Sequence, residues 1–319
     1  MSRWSIIIII VLIVIVGIGI WLYTPDKSRD ELSPKYVRSA ADFIEVAGVK
    51  LHIRDDGPRN VQSAHGAQND DPPVVILLHG FGASLHTWEP WAASLAPTVR
   101  LIRFDLPGFG MTGADPTGDY SDERGFVIIN QLMDKLGLAR ASIVGHSIGG
   151  RLAWRFAAAH PTRVDRLVLI APDGFASPGF EYGKAAEVPA AMSLMRYSMP
   201  SFMVKMSLAP AYGDPKFMTG ALLTRYRDMM LAPGVRSAML ERLSKAVLVP
   251  PEPLLKSITA PTLVMWGEKD AMIPFANSAD YMRLLSNATL VSYPALGHLP
   301  HEEAPAESVV AVQNFLMAR

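Results

Sequence analysis

Apolar positions along the chain fall into two regimes. From Ile6 to Tyr23, 18 consecutive residues carry no charge and are mostly Ile and Val. From Phe43 onward, short apolar runs alternate with longer stretches of helical periodicity. The runs at 74–78, 99–104, 141–144, 164–170, 261–266 and 288–293 are nearly continuous, as strands buried on both faces of a parallel sheet require. Helical patterns lie at 88–95, 122–136, 148–160, 275–285 and 305–317. Residues 43–54 alternate on either side of Ala47 and Gly48, which predicts a hairpin. This order predicts an α/β domain: a doubly wound, mostly parallel sheet with right-handed crossovers.

Three segments depart from the rhythm. Residues 24–42 are polar with two prolines and read as a linker, and residues 55–73 as a mobile surface loop. Residues 174–253 contain no clear strand and hold nine of the 16 methionines. Met192, Met195, Met199, Met203 and Met206 recur at spacings of three and four, a helical stripe that Pro200 should divide. This segment is expected to be a helical cap inserted in the sheet domain. Its methionines suit packing on that domain and, secondarily, an adaptable lining for an apolar substrate. The expected organisation is 1–23 transmembrane anchor, 24–42 linker, 43–173 first core part, 174–253 cap and 254–319 second core part.

The 18-residue run reaches nearly the ~30 Å of a bilayer core at about 1.5 Å per residue. A cleaved signal has a shorter apolar region, roughly 7–15 residues, followed by a small-residue cleavage site. Here Trp21, Leu22, Tyr23, Thr24, Pro25 and Asp26 follow instead, and Trp4, Trp21 and Tyr23 stand where interfacial aromatics belong. The reading is an uncleaved single-pass anchor in a bilayer through residues 6–23. Arg3 lies on one side and Lys27, Arg29, Lys35 and Arg38 on the other. That count favours a cytoplasmic catalytic domain, although large trailing domains can translocate regardless.

Half the residues are hydrophobic, enough for a sizeable core, and 30 basic residues balance 30 acidic ones. No basic face implies nucleic acid. The absence of cysteine excludes disulfides, thiolate metal sites and a cysteine nucleophile.

Within that frame, Val144 to Gly150 reads VGHSIGG. It fits G-x-S-x-G between an apolar run and a helical pattern, the context that the motif needs. A sharp turn there puts Ser147 in a strained conformation with its Oγ above the sheet edge. The N–H of Ile148, which opens the next helix, points at the same space. In VILLHGFGAS, from Val75 to Ser84, a strand ends in a loop that can aim the Phe81 N–H at a developing oxyanion. Two such donors can each lower a barrier by about 3 kcal/mol. Asp270 follows the run in TLVMWGEKD, and His298 follows Gly297 in SYPALGHLPHEE. The order Ser, Asp, His suits this kind of hydrolase.

From 43 to 317 the chain resembles the α/β-hydrolases with a helical lid, on LLHGFGAS, FDLPGFG, VGHSIGG, WGEKD and GHLPHEE. Within that superfamily it is most similar to the capped carboxylesterases and lipases. The resemblance implies Ser147 as nucleophile, His298 as base, Asp270 as its orienting acid, and Phe81 and Ile148 as oxyanion donors. It implies an acyl-enzyme mechanism on a small-molecule or lipid ester. The same triad leaves open hydrolysis of a carbon–carbon bond or cofactor-free perhydrolysis. A membrane-tethered binding protein is a third reading, disfavoured because every triad member is present.

Other features read as structural. Gly108 to Gly113 matches G-x-G-x-x-G, but a loop follows rather than a helix, so no dinucleotide cofactor is expected; Asp105 and Gly108 should shape a wall near the active site. His301 lacks a second ligand at helical spacing, and no metal is expected. His79 should brace its own loop, and His146, adjacent to the nucleophile on a turn, should point away and pack. Asn287 begins a sequon.

Overall fold

The computed structural model describes residues 2–59, 72–176 and 181–318. Most of the expected loop at 55–73 lies outside the described residues. One eight-stranded sheet runs in the order β1-β2-β4-β3-β5-β6-β7-β8. The strands are β1 (Phe43–Val46), β2 (Val49–Asp56), β3 (Val74–Leu78), β4 (Arg100–Phe104), β5 (Ala141–His146), β6 (Val164–Ile170), β7 (Thr262–Gly267) and β8 (Ala288–Tyr293). β2 pairs antiparallel with β1 and β4, and every other pairing is parallel. Ala47 (φ 52°) and Gly48 (φ 77°) make the β1–β2 turn. Two positive φ values in succession match the right-handed strand twist of a tight hairpin.

The helices are α1 (Arg3–Leu22), α2 (Arg29–Tyr36), α3 (Glu89–Leu95), α4 (Asp122–Lys135), α5 (Ile148–Ala159), α6 (Ser201–Leu208), α7 (Gly220–Met230), α8 (Val235–Lys245), α9 (Glu252–Ser257), α10 (Asn277–Leu284), α11 (Pro300–Glu303) and α12 (Pro305–Met317). α3 and α12 cover one sheet face through Trp91, Leu95, Val309 and Val312. α4, α5, α9 and α10 cover the other through Ile129, Leu132, Phe156 and Leu255. Burial on both faces explains why β5 and β7 are buried at every position.

Between β6 and β7 the chain forms a helical excursion built on a 3₁₀ turn at Ala190–Arg196 and on α6, α7 and α8. Its two ends meet in isolated bridges, Tyr182 to Leu248 and Ala185 to Val247. The methionine stripe divides at Pro200 as expected: Met192 and Met195 ride the 3₁₀ turn, Met203 and Met206 ride α6.

α1 is 20 residues long, and no part of its most apolar stretch is buried. The segment after it is not the free linker that its polarity suggests. Ser28 and Glu31 form a reciprocal capping box at the start of α2, which satisfies two orphan N–H groups, and Leu32 is fully buried. Polar residues dock this segment on the cap. Asp26 pairs with Arg236 at 2.6 Å, and Lys27 reaches Asp228 at 2.6 Å. Thr24 N–H donates to the Tyr197 carbonyl at 2.8 Å. These partners lie about 200 positions apart in sequence, so local polarity conceals them.

Candidate active site

Ser147 links β5 to α5 with φ 54° and ψ −119°, a region that side chains avoid. The surroundings enforce it. A Cβ on Gly145 would lie 2.3 Å from the Gly149 carbonyl oxygen, and one on Gly149 would lie 2.4 Å from that of Leu78. The Ser147 N–H donates to the Ile170 carbonyl at 3.0 Å, and its carbonyl accepts from Arg151 at 2.9 Å and Asp173 at 3.0 Å. The strained residue is therefore tied to β6 and α5.

His298 lies five residues past β8, and Asp270 three past β7. Their side chains meet: His298 Nδ1 is 2.7 Å from Asp270 Oδ2. The other carboxylate oxygen accepts from the N–H groups of Met272 at 2.8 Å and Ile273 at 2.9 Å. With one oxygen held by its own loop, the other faces the imidazole, and an imidazole that donates from Nδ1 presents Nε2 as acceptor. Among the described residues no hydrogen bond joins Ser147 Oγ to that ring, although both line one cavity; free hydrolases often tighten this contact only with substrate. The N–H groups of Phe81 and Ile148 also find no acceptor among the described residues. Phe81 sits three residues past β3 and lines the same cavity.

Three buried histidines frame these groups. His146 does pack, against the His298 ring at 4.5 Å and the His301 ring at 4.7 Å. It does not point away from the site as its position on the turn suggests. It lines the cavity and its Nε2 hydrogen-bonds the His298 carbonyl at 2.9 Å. The sharp turn rotates its ring toward the β8 loop. Burial, then the neighbouring His298 and His301 rings, hold its pKa well below the usual histidine range. His301 lies on α11; it stacks on Trp88 at 4.4 Å, and burial lowers its pKa to about 3. His79 braces its loop as expected, donating from Nδ1 to the Gly80 carbonyl at 2.7 Å and accepting from the Leu106 N–H at 2.9 Å. Burial brings its pKa to about 4.

Asp105 joins the loops after β3 and β4. It accepts from the N–H groups of Leu85 and Met111, each at 2.7 Å, and meets His52 Nδ1 at 2.8 Å. Burial opposes its charge, but the adjacent His52 outweighs that and brings its pKa to about 2. A Cβ on Gly110 (φ 53°) would lie 2.3 Å from its carboxylate, so the second glycine of the G-x-G-x-x-G stretch makes room for Asp105.

Two acidic residues after His298 tie the core to the cap. Glu303 accepts from Gly297 N–H at 2.7 Å and from Gly213 N–H at 2.8 Å. Glu302, whose side chain is 2% exposed, takes Arg225 and Thr87 on one oxygen and Tyr212 at 2.8 Å on the other. The sequence offered only the pattern HEE for this arrangement; the cap partners come from α7 and the loop after α6.

Two cavities flank Ser147. The larger, about 360 Å³, is lined by Met192, Met195, Met199, Met230 and Met239 beside Ser147 and His298. The smaller, about 240 Å³, shares Phe81, Ser147, Met272 and His298 and adds Ile148 and a charged wall. Among the described residues no cluster of His, Asp or Glu is arranged to hold a metal.

Comparison with known proteins agrees with this architecture. Residues 75–312 match the profile of the alpha/beta hydrolase family. An uncharacterised protein of Mycobacterium tuberculosis is 27% identical over 287 residues, covering 83% of each chain. A 2-hydroxy-6-oxo-6-phenylhexa-2,4-dienoate hydrolase of Burkholderia cepacia is 29% identical over 264 residues, 79% of this chain and 86% of that one. Among solved structures, a membrane phospholipase A superposes with a TM-score of 0.70 at 24% identity, over 99% of this chain and 98% of its own.

Proposed function

The chain belongs to the alpha/beta hydrolase family, and from that premise we propose that it is a membrane-anchored serine hydrolase that cleaves carboxylic esters of apolar acids. The observation that carries the reading is the 2.7 Å contact of His298 Nδ1 with Asp270, on the edge of a methionine-lined cavity that also holds Ser147.

In this reading Nε2 of His298 takes the Ser147 proton as Oγ attacks the acyl carbonyl. Asp270 fixes the tautomer and stabilises the imidazolium. The N–H groups of Phe81 and Ile148 receive the oxyanion. The proton then passes from His298 to the leaving alcohol, an acyl-enzyme remains, and water repeats the sequence. The methionine cavity takes the acyl chain, since flexible thioethers adapt to varied apolar shapes. α1 is the bilayer anchor: 20 residues at about 1.5 Å each span roughly 30 Å. The fold shared with a membrane phospholipase A over nearly the whole chain accords with that.

A second reading has its own support. The substrate in the name of the Burkholderia cepacia relative is a dienoate with a ketone and no ester, so its hydrolysis cuts a carbon–carbon bond. The same triad could serve that chemistry. One experiment separates them: purified full-length protein in detergent is labelled with a fluorophosphonate and assayed on p-nitrophenyl esters and on that dienoate. Labelling at Ser147 with ester turnover, both lost in Ser147→Ala, supports the ester reading. Turnover of the dienoate alone supports the second, and absence of labelling overturns both.

A further inference from the structure

The smaller cavity beside Ser147 is charged, and its charges do not cancel. Arg151 lies 3.1 Å from Asp122 and 2.8 Å from Asp173. Arg155 also binds Asp122, at 2.6 Å. Asp173 lines the cavity, yet its carboxylate is already engaged by Arg151, and burial raises its pKa. Arg242, on α8 of the cap, differs. It is 8% exposed, and among the described residues no carboxylate pairs with its guanidinium. Its contacts are a long hydrogen bond to the Pro107 carbonyl at 3.4 Å and the face of Phe109, 5.5 Å from the ring centroid. Burial lowers its pKa to about 10, so it is still charged at neutral pH. Asp122 favours its charge from beyond ion-pair distance but is already bound by Arg151 and Arg155. A buried cation with no carboxylate paired to it costs stability, and it is satisfied when an anion enters the cavity that it lines.

We propose that this cavity is an anion subsite in which Arg242 binds a phosphate or carboxylate of the substrate. The assignment rests on the ester-hydrolase reading and extends it to the alcohol. A carbonyl carbon at Ser147 bears two substituents, the acyl chain and the alkoxy oxygen. With the acyl chain among the methionines, the alkoxy arm points into the other cavity. The substrate class is therefore an ester of an apolar acid with an alcohol that carries an anion. Arg242 is a binding residue here; it gains a charge-assisted, bidentate contact that a neutral alcohol cannot supply.

The test uses the full-length protein in detergent and three octanoyl esters: 1-octanoylglycerol, 1-octanoylglycerol 3-phosphate and the octanoyl ester of glycolate. The wild type is expected to favour at least one anionic ester over the neutral one by about 10-fold or more in kcat/KM. The arm with the larger preference identifies the anion. In Arg242→Gln that ratio should fall toward one, and Arg242→Lys should keep part of it. Equal kcat/KM for all three esters in the wild type, or an unchanged ratio in Arg242→Gln, overturns the subsite. If Arg242→Gln does not fold, inhibition of p-nitrophenyl octanoate hydrolysis by glycerol 3-phosphate against glycerol reads the same site. Competitive inhibition by the phosphate alone supports it, and equal inhibition overturns it. A wild type that cleaves p-nitrophenyl octanoate but ignores the anion sinks only the subsite. One that cleaves no ester sinks the underlying reading as well.

Discussion

His146 Nε2 donates to the carbonyl oxygen of His298 at 2.9 Å, so the residue before the candidate nucleophile holds the loop of the candidate base. Replacing His146 with Phe keeps an aromatic ring, though a larger one, but strands a buried carbonyl, at a cost of about 1–3 kcal/mol. The expected outcome is a lower melting temperature together with a loss of roughly 10-fold or more in kcat/KM on esters, because small displacements of a base are costly. An unchanged kcat/KM would show that the His298 N–H to Ala211 bond and the Glu303 contacts hold the loop by themselves.

Acid should weaken the fold before it titrates the carboxylates. His79, His146 and His301 all have folded pKa values below the ordinary histidine value. Between the folded and unfolded values the unfolded chain binds more protons, so stability rises with pH there. It is fully present above about 6.5 and is lost as pH falls, through about 4 for His79 and about 3 for His301. Each contributes up to about 1.4 kcal/mol per pH unit. Asp105, lowered from 3.8 to about 2, acts in the same direction but only below its ordinary value. Thermal melts between about pH 7 and 5 should show a falling midpoint, and His301→Gln should flatten that slope.

The buried pair between Arg225 and Glu302 should behave asymmetrically. Removing one partner in Arg225→Met or Glu302→Leu leaves a buried charge without its counterion, at about 3–5 kcal/mol. The double replacement should cost less than the sum of the two. Chemical denaturation of all four proteins tests this, and strict additivity would disprove coupling across the cap.

Truncation should depend on where it falls. Removing residues 1–23 leaves Asp26 on Arg236 and Lys27 on Asp228. A fragment that begins at Ser39 strips both partners, also removes the Tyr36 hydroxyl from Asp228, and leaves that 1% exposed carboxylate uncompensated. The shorter fragment is expected to be less stable by about 3 kcal/mol. Equal melting temperatures would argue that residues 24–38 contribute nothing to the cap.

Filling the methionine cavity should change substrate choice. Met195 and Met199 line it, and Met199 is 3% exposed. Met195→Trp is expected to cut kcat/KM on long acyl chains by about 10-fold or more while sparing short ones. A chain-length series of p-nitrophenyl esters measures it; a uniform loss across the series would place the acyl chain elsewhere.

Much of the fold is legible from hydrophobic pattern. β3, β6, β8 and α12 match the expected bounds, and the other runs end within a few residues of theirs, because burial on two faces writes a nearly continuous apolar run. G-x-S-x-G was legible for a steric reason: only glycine fits beside Ser147. α2 was not, because a short, mostly polar stretch with a single leucine looks solvated until Asp228 arrives from the cap to meet Lys35 and Tyr36. Arg242 was equally silent, one basic residue on a helix with Arg236 and Lys245 nearby in sequence.

By itself the sequence determined the α/β alternation, the apolar N-terminal helix, the strained serine turn and the order of the three candidate catalytic residues. Those depend on local sterics and on which runs shed water. Tertiary structure alone decided that His146 braces His298, that Glu302 and Glu303 fasten the cap, that the polar segment after the apolar helix docks on it, and that Arg242 pairs with no acid beside the nucleophile. These depend on which charges are brought together out of water, and pairing between side chains far apart in the chain leaves no periodic trace to read.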